Sequence, residues 1–121
     1  MLIQTDWKEK VALITGAIGG VGRAVADAFW QAGAKLLLTD INIEALGKMK
    51  AEFSDGGDRV AIACCDVSKV ADCKAAVAAS IESFGRLDIV VNAAGVIIKG
   101  DPSDVTEKQW DWVTDINLKG T

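Results

Sequence analysis

The sequence predicts an α/β domain built on a doubly wound parallel sheet. Short continuous apolar runs recur along the chain, segments with helical spacing separate them, and a glycine cluster stands where the first run gives way to the first helix. Continuous runs, rather than alternating ones, are what strands covered on both faces require.

The first strand is Val11-Ala12-Leu13-Ile14, followed directly by Thr15-Gly16-Ala17-Ile18-Gly19-Gly20-Val21-Gly22. Val21, Ala24, Val25, Ala28, Phe29 and Ala32 then recur on one helical face, and Gly33 supplies the stop. Lys35 to Thr39 is the second strand, with Asp40 at its carboxyl end. Leu46, Met49 and Phe53 mark a shorter helix ending in the turn cluster Ser54-Asp55-Gly56-Gly57-Asp58. Val60 to Cys65 is a third strand ending at Asp66, and Ser68 is expected to cap the next helix. That helix carries the stripe Val70, Cys73, Val77, Ile81 and Phe84, closes at Gly85, and hands over to a fourth strand, Leu87 to Asn92.

The loop from Ala93 to Asp104 holds the only proline, Pro102. Thr106 to Gln109 has capping-box spacing, Val105 and Trp110 are placed to staple the same helix start, and Trp110, Val113 and Asn117 form its inward stripe. Crossovers of this length between buried strands imply right-handed connections and helices on both faces. The expected architecture is therefore a single Rossmann-type domain over residues 1–121, with four parallel strands and about four helices.

Composition narrows the function. Half of the residues are apolar, enough for a core, and the net charge of −4 is scattered with no basic stripe. Nucleic acid and membrane surfaces are not expected partners. The start, Met1 to Asp6, lacks the pattern of a signal peptide, and no apolar run is long enough to span a bilayer, so a cytoplasmic location is expected. Cys64, Cys65 and Cys73 are odd in number and suggest reduced core thiols rather than a disulfide framework or a metal site. Histidine is absent, which removes the commonest general base and the commonest metal ligand together.

The glycine cluster carries the chemistry. A strand-to-helix turn needs glycine where the chain bends tightly, where it must approach a ligand without a Cβ, and where the helix packs close to the sheet. The first amides of the helix then face an anion, the arrangement that binds the pyrophosphate of a dinucleotide. Asp40 lies at the spacing expected of an acid that accepts the adenosine ribose hydroxyls. Such a charge-assisted bond contributes about 1.5–3 kcal/mol, and the same charge would repel a 2′-phosphate, which points to NAD over NADP. The alternative role for Asp40 is to cap the following helix.

TGxxxGxG at Thr15 to Gly22, the strand-end pair Asp66-Val67, the run Asn92-Ala93-Ala94-Gly95 and the helical Asn117 together resemble the short-chain dehydrogenase/reductase family. Because Gly19 and Gly20 are both glycine, the turn also satisfies TGxxGxxG, the pattern of the extended branch acting on nucleotide sugars; Asn92 to Gly95 and Asn117 are similar to the compact oxidoreductases instead. The resemblance runs from Trp7 to Thr121 and corresponds to the amino-terminal half of such an enzyme.

The resemblance implies that Gly16, Gly20 and Gly22 shape the pyrophosphate turn, with Ile18 and Val21 of that turn and Ile41 beside Asp40 among the cofactor-binding residues. Asp66 and Val67 would border the adenine. Asn92, Ala93 and Gly95 would lie beneath the adenosine side, Asn92 also tying the fourth strand to its neighbours. Asn117 would support a proton relay and is the one catalytic candidate. The other readings are structural: Asp66 as a turn cap, the alanine-glycine run as a close passage of loop over strand, and Asn117 as a satisfied helix asparagine.

Family catalysis uses a serine, a tyrosine and a lysine, and this sequence has no tyrosine. The resemblance places those residues after Thr121, along with a fifth strand beside Leu87 to Asn92. It implies an NAD-dependent oxidoreductase interconverting an alcohol and a ketone, a small-molecule substrate and a homo-oligomer. A non-catalytic nucleotide-binding module or structural fragment is the alternative.

Overall fold

A computed structural model describes residues 6–53 and 58–121. The residues Met1–Thr5 of the amino-terminal reading and Ser54–Gly57 of the turn cluster lie outside the described residues. Strands β1 (Val11–Thr15), β2 (Lys35–Asp40), β3 (Val60–Cys64) and β4 (Ile89–Asn92) alternate with helices α1 (Gly20–Gln31), α2 (Ile43–Glu52) and α3 (Val70–Phe84), and helix α4 (Glu107–Thr114) follows β4. The strands form one sheet in the order β3-β2-β1-β4, parallel throughout. Leu13 pairs with Leu37 on one side and with Val90 on the other.

Every residue of β1 is buried, as are Leu36 to Thr39 of β2. Their alternation serves two cores. Ala12, Ile14, Leu36 and Leu38 pack with Leu46, Met49, Phe53 and Val60 beneath α1 and α2. Leu13 and Leu37 face the other way and meet Cys65 and Ala76 beneath α3. Full burial of one such leucine contributes about 1.5–3 kcal/mol, which is why these strands read as unbroken apolar runs.

The helix faces differ from those that hydrophobic spacing predicts. On α1 the buried residues are Gly22 and Ala26, with Val25, Phe29 and Trp30 packed at the flanks, whereas Val21, Ala24, Ala28 and Ala32 are exposed. The cause is the close approach of the helix to the turn. A Cβ on Gly22 would stand 2.3 Å from the carbonyl oxygen of Gly16, so small residues lead and the stripe rotates. On α3 the same holds: Ala76 and Ser80 are buried and Cys73 and Phe84 pack beside them, while Val70, Val77 and Ile81 are exposed. Ser80 can be buried because its hydroxyl donates to the Ala76 carbonyl one turn back, at 3.5 Å.

Gly33 ends α1 as predicted, at φ +96°, with its own N–H on Trp30 O (3.0 Å) and that of Ala34 on Phe29 O (3.0 Å). Arg59, entering β3, reinforces this corner. It donates to the carbonyls of Trp30 (2.8 Å) and Ala34 (2.9 Å) and stacks on the Trp30 ring, 3.8 Å from its centroid.

Three local expectations are corrected. Ser68 does not cap α3; Lys69 is the N-cap residue, without a side-chain bond, and the Ser68 hydroxyl donates to Asp66 instead (2.6 Å). Cys64 is exposed rather than in the core, because adjacent residues of a strand point to opposite faces and only Cys65 points inward. Trp110 is exposed, as is Asn117, and α4 passes at Asp115 into a π-helical turn, Asp115–Lys119. The capping box itself is present: Thr106 accepts from Gln109 N–H (3.2 Å) and the Gln109 side chain from Thr106 N–H (2.9 Å).

Candidate cofactor site

The carboxyl ends of the strands meet around the glycine turn, and Thr15 pins it. Its hydroxyl donates to Val91 O (3.4 Å) and accepts from the N–H groups of Ala93 and Ala94, both at 3.1 Å. The tie between β4 and its neighbour, expected of Asn92, therefore comes from Thr15; Asn92 is exposed and has no side-chain bond among the described residues.

The glycines divide by what surrounds them. Gly16 has φ +59°, and a Cβ there would lie 2.7 Å from Ala94 Cα. It lets the turn touch the Ala93-Ala94 loop. Gly22 seats α1 on the turn, as described above. Gly20 differs, since a Cβ there would meet nothing within 4 Å; the protein's own packing does not require a glycine there. The α1 start, with Gly19 as N-cap, has neither a side-chain cap nor an acidic residue in its first turn. Amide donors are thus available to an anion.

Asp40 stands across the turn. Its carboxylate accepts from Ile18 N–H (3.4 Å), Ile41 N–H (2.8 Å) and Asn42 N–H (3.4 Å). It does not cap α2, because Asn42 does so by accepting from Ala45 N–H (3.0 Å).

A cleft opens beside these groups. Asp40 and Ile41 border it at the end of β2, Asp66 and Val67 at the end of β3, and Gly16 and Gly95 at the glycine turn and the loop after β4. These candidates from the sequence line one cleft. Ile18 adjoins them through its bond to Asp40 and Ala93 through its bond to Thr15. Asn92, Gly20, Val21 and Gly22 are not in the cleft wall itself.

Cys65, Ala94, Val96 and Ile116 also line it and were not singled out from the sequence. Ala94 stood inside a quoted motif, but an apolar side chain in the wall carries no chemical signature to find it by. The Cys65 thiol is pushed up to about 12, first by burial and then by the neighbouring Cys73; it is a neutral, unreactive wall. Asp66 is held below the usual carboxylate range by the hydroxyl and N–H of Ser68 (2.6 and 3.0 Å). Asp66 is thus the cap of its own turn as well as a rim of the cleft.

Asn117, in the π-helical turn after α4, bonds to the cleft wall at Val96. Its Oδ1 accepts from Val96 N–H and its Nδ2 donates to Val96 O, each at 2.8 Å. The amide is fully engaged with one backbone unit of the loop after β4, and a Cβ on Gly95 would sit 3.5 Å from its Oδ1. It fixes that loop against the helix.

The chain matches the sequence profile described as short chain dehydrogenase over residues 10–121. It belongs to the short-chain dehydrogenase family. A D-threitol dehydrogenase of Mycolicibacterium smegmatis is 41% identical over 114 residues, covering 93% of this chain and 43% of that protein. A CLA biosynthesis dehydrogenase/reductase of Lactiplantibacillus plantarum is 37% identical over 113 residues, covering 93% of this chain and 40% of that protein. The chain thus spans less than half the length of either relative. Among solved structures, a short chain dehydrogenase/reductase from Burkholderia phymatum in complex with NAD superposes with a TM-score of 0.90 at 34% identity, covering 96% of this chain and 41% of that one. A 3-ketoacyl-(acyl-carrier-protein) reductase from Brucella melitensis complexed with NADH gives 0.84 at 35% identity, covering 92% and 45%. No helix among the described residues is long and apolar enough to cross a membrane.

Proposed function

We propose that this chain is the adenosine-binding portion of an NAD-dependent oxidoreductase that interconverts an alcohol and a ketone on a small molecule. The observation that carries the reading is the Asp40 carboxylate at the end of β2, bonded across to Ile18 of the glycine turn. An acid fixed there faces ribose hydroxyls and repels a 2′-phosphate. NAD, when bound, supplies hydride acceptance or donation. The chain's own residues bind and orient it: the bare Gly20 and the open amides at the start of α1 take the pyrophosphate, and Asp66 and Val67 border the adenine. Asn117, spent on Val96, acts as a positioning residue rather than one that touches reacting atoms.

The alternative, a nucleotide-binding module without catalysis of its own, is favoured for the 121-residue chain by one observation: it contains no tyrosine to exchange a proton as hydride moves. The whole enzyme, in this proposal a cytoplasmic homo-oligomer, takes its proton-transfer group from outside this sequence.

Titration of NAD and NADP against the chain and its Asp40→Ala variant tests the reading. NAD is expected to bind more tightly, and the substitution to narrow the gap by about tenfold. Equal affinity for both cofactors in the unmodified chain overturns the role of Asp40, and binding of neither overturns the site.

A further inference from the structure

Two thiols meet behind the cleft wall. Cys65, directly after β3, is buried and lines the cleft, while Cys73, near the start of α3, packs against the same apolar cluster and is partly exposed. They are within hydrogen-bonding reach of each other. Cys64 points to the opposite face and donates to Ile41 O at 3.5 Å, so it stands apart from the pair. The start of α3 is tied to the cleft rim by two hydrogen bonds. The Cys73 thiol donates to Val67 O at 3.4 Å, and the Asp72 carboxylate accepts from Asp66 N–H at 2.9 Å. Asp66 and Val67 are the rim residues at the end of β3. Any chemistry at Cys73 therefore reaches the rim through its immediate partners.

We propose that Cys65 and Cys73 are a redox-sensitive dithiol, oxidised by a small-molecule disulfide to an intramolecular disulfide that loosens the Asp66-Val67 rim and weakens dinucleotide binding; the effect on binding rests on the cofactor reading given above. The Cys73 thiolate attacks one sulfur of the oxidant, breaking its S–S bond and releasing one small thiol. Cys65 then gives its proton to solvent and attacks the Cys73 sulfur of the mixed disulfide, expelling the second small thiol. The protein loses two hydrogens and two electrons, and the oxidant gains both. Burial keeps the Cys65 thiol protonated and inert toward reagents in solvent. Its thiolate, once formed, is the stronger nucleophile for that reason, and its target is a neighbour held beside it. In the product Cys73 has no hydrogen left to donate to Val67 O, and its sulfur is bonded to Cys65 instead.

The test uses the chain carrying Cys64→Ser, which keeps a donor for Ile41 O and leaves only the pair to react. Equilibration with oxidised glutathione is expected to remove two hydrogens from the intact mass with no glutathione retained. Peptide mapping should join Cys65 to Cys73, and dithiothreitol should reverse the change. Hydrogen exchange at Asp66 N–H, a measure that needs no cofactor, is expected to quicken by about tenfold on oxidation, and the Kd for NAD to rise by about tenfold or more. Cys73→Ser, which keeps a donor for Val67 O, should match the reduced parent in both measures and ignore the oxidant. If the reduced chain binds no NAD, the cofactor reading fails by itself, and mass and exchange still decide the dithiol. Two free thiols at equilibrium, a lasting mixed disulfide with glutathione, or a disulfide that leaves exchange at Asp66 or a measurable NAD affinity unchanged overturns the proposal.

Discussion

The segment from Val11 to Ala34 and the segment from Ala93 to Thr121 meet at one cleft and are held there by opposite means. In the first, β1 is wholly buried and α1 lies so close to the turn that Gly22 could not carry a side chain without collision. In the second, no residue of α4 is buried, and the polar links of Thr15 to Ala93 and Ala94 and of Asn117 to Val96 hold the segment, beside an apolar contact of Gly120 with Val67. Close packing transmits any change of volume, whereas a pair of hydrogen bonds at an exposed site contributes little to global stability and much to local order. The glycine turn is therefore rigid by packing, and the loop that completes the cleft is positioned chiefly by tethers.

The largest expected effect probes the packed side. Gly22→Ala should destabilise the fold by about 2–3 kcal/mol, because the added methyl meets backbone that cannot yield. Gly20→Ala should leave stability within about 0.5 kcal/mol, since open space surrounds that position. Gly20→Val should keep the fold and lose NAD binding. Urea denaturation separates the first two, and equal midpoints for Gly22→Ala and the parent would break the comparison on its packed side.

A smaller effect is expected on the tethered side. Asn117→Ala should cost about 1 kcal/mol or less globally while releasing the loop. Hydrogen exchange at Val96 is the sensitive measure, and protection there that survives the substitution would show that something other than the amide holds the loop.

Ser68→Ala should have the smallest effect, below about 1 kcal/mol, because the Asp66 it serves is partly solvated. The sign follows from the depressed pKa of Asp66. Its contribution is present above the ordinary value of 3.8 and is lost as pH falls through the lower folded value. The variant should be less stable than the parent near neutral pH, with the difference closing below that range. Denaturation midpoints measured against pH give both curves, and a difference that persists in acid would remove Asp66 as its source.

Strand positions and the glycine turn were legible in the sequence, because each rests on a local demand. A doubly covered strand needs an unbroken apolar run, a tight turn needs glycine, and the capping box at Thr106 and Gln109 closes within one turn of chain. The helix faces were not legible in the same way. Spacing favours large apolar residues, as in Val70, Val77 and Ile81, yet the sheet is met by Ala76 and Ser80 and, on α1, by Gly22 and Ala26. How closely a helix approaches a sheet depends on both partners, and only the assembled structure fixes it.

The same division holds at the site. By itself the sequence determined which residue types were present for a dinucleotide: glycines at a strand-to-helix turn, an acid at the next strand end, Asp66-Val67 at the one after. Tertiary structure decided which of them share a wall. It brought Cys65, Val96 and Ile116 to the cleft, gave the β4 tie to Thr15 instead of Asn92, and committed the Asn117 amide to Val96. Those outcomes depend on partners distant in sequence, 79 residues apart for Thr15 and Ala94, and a hydrogen bond is assigned only when both of its ends have been placed.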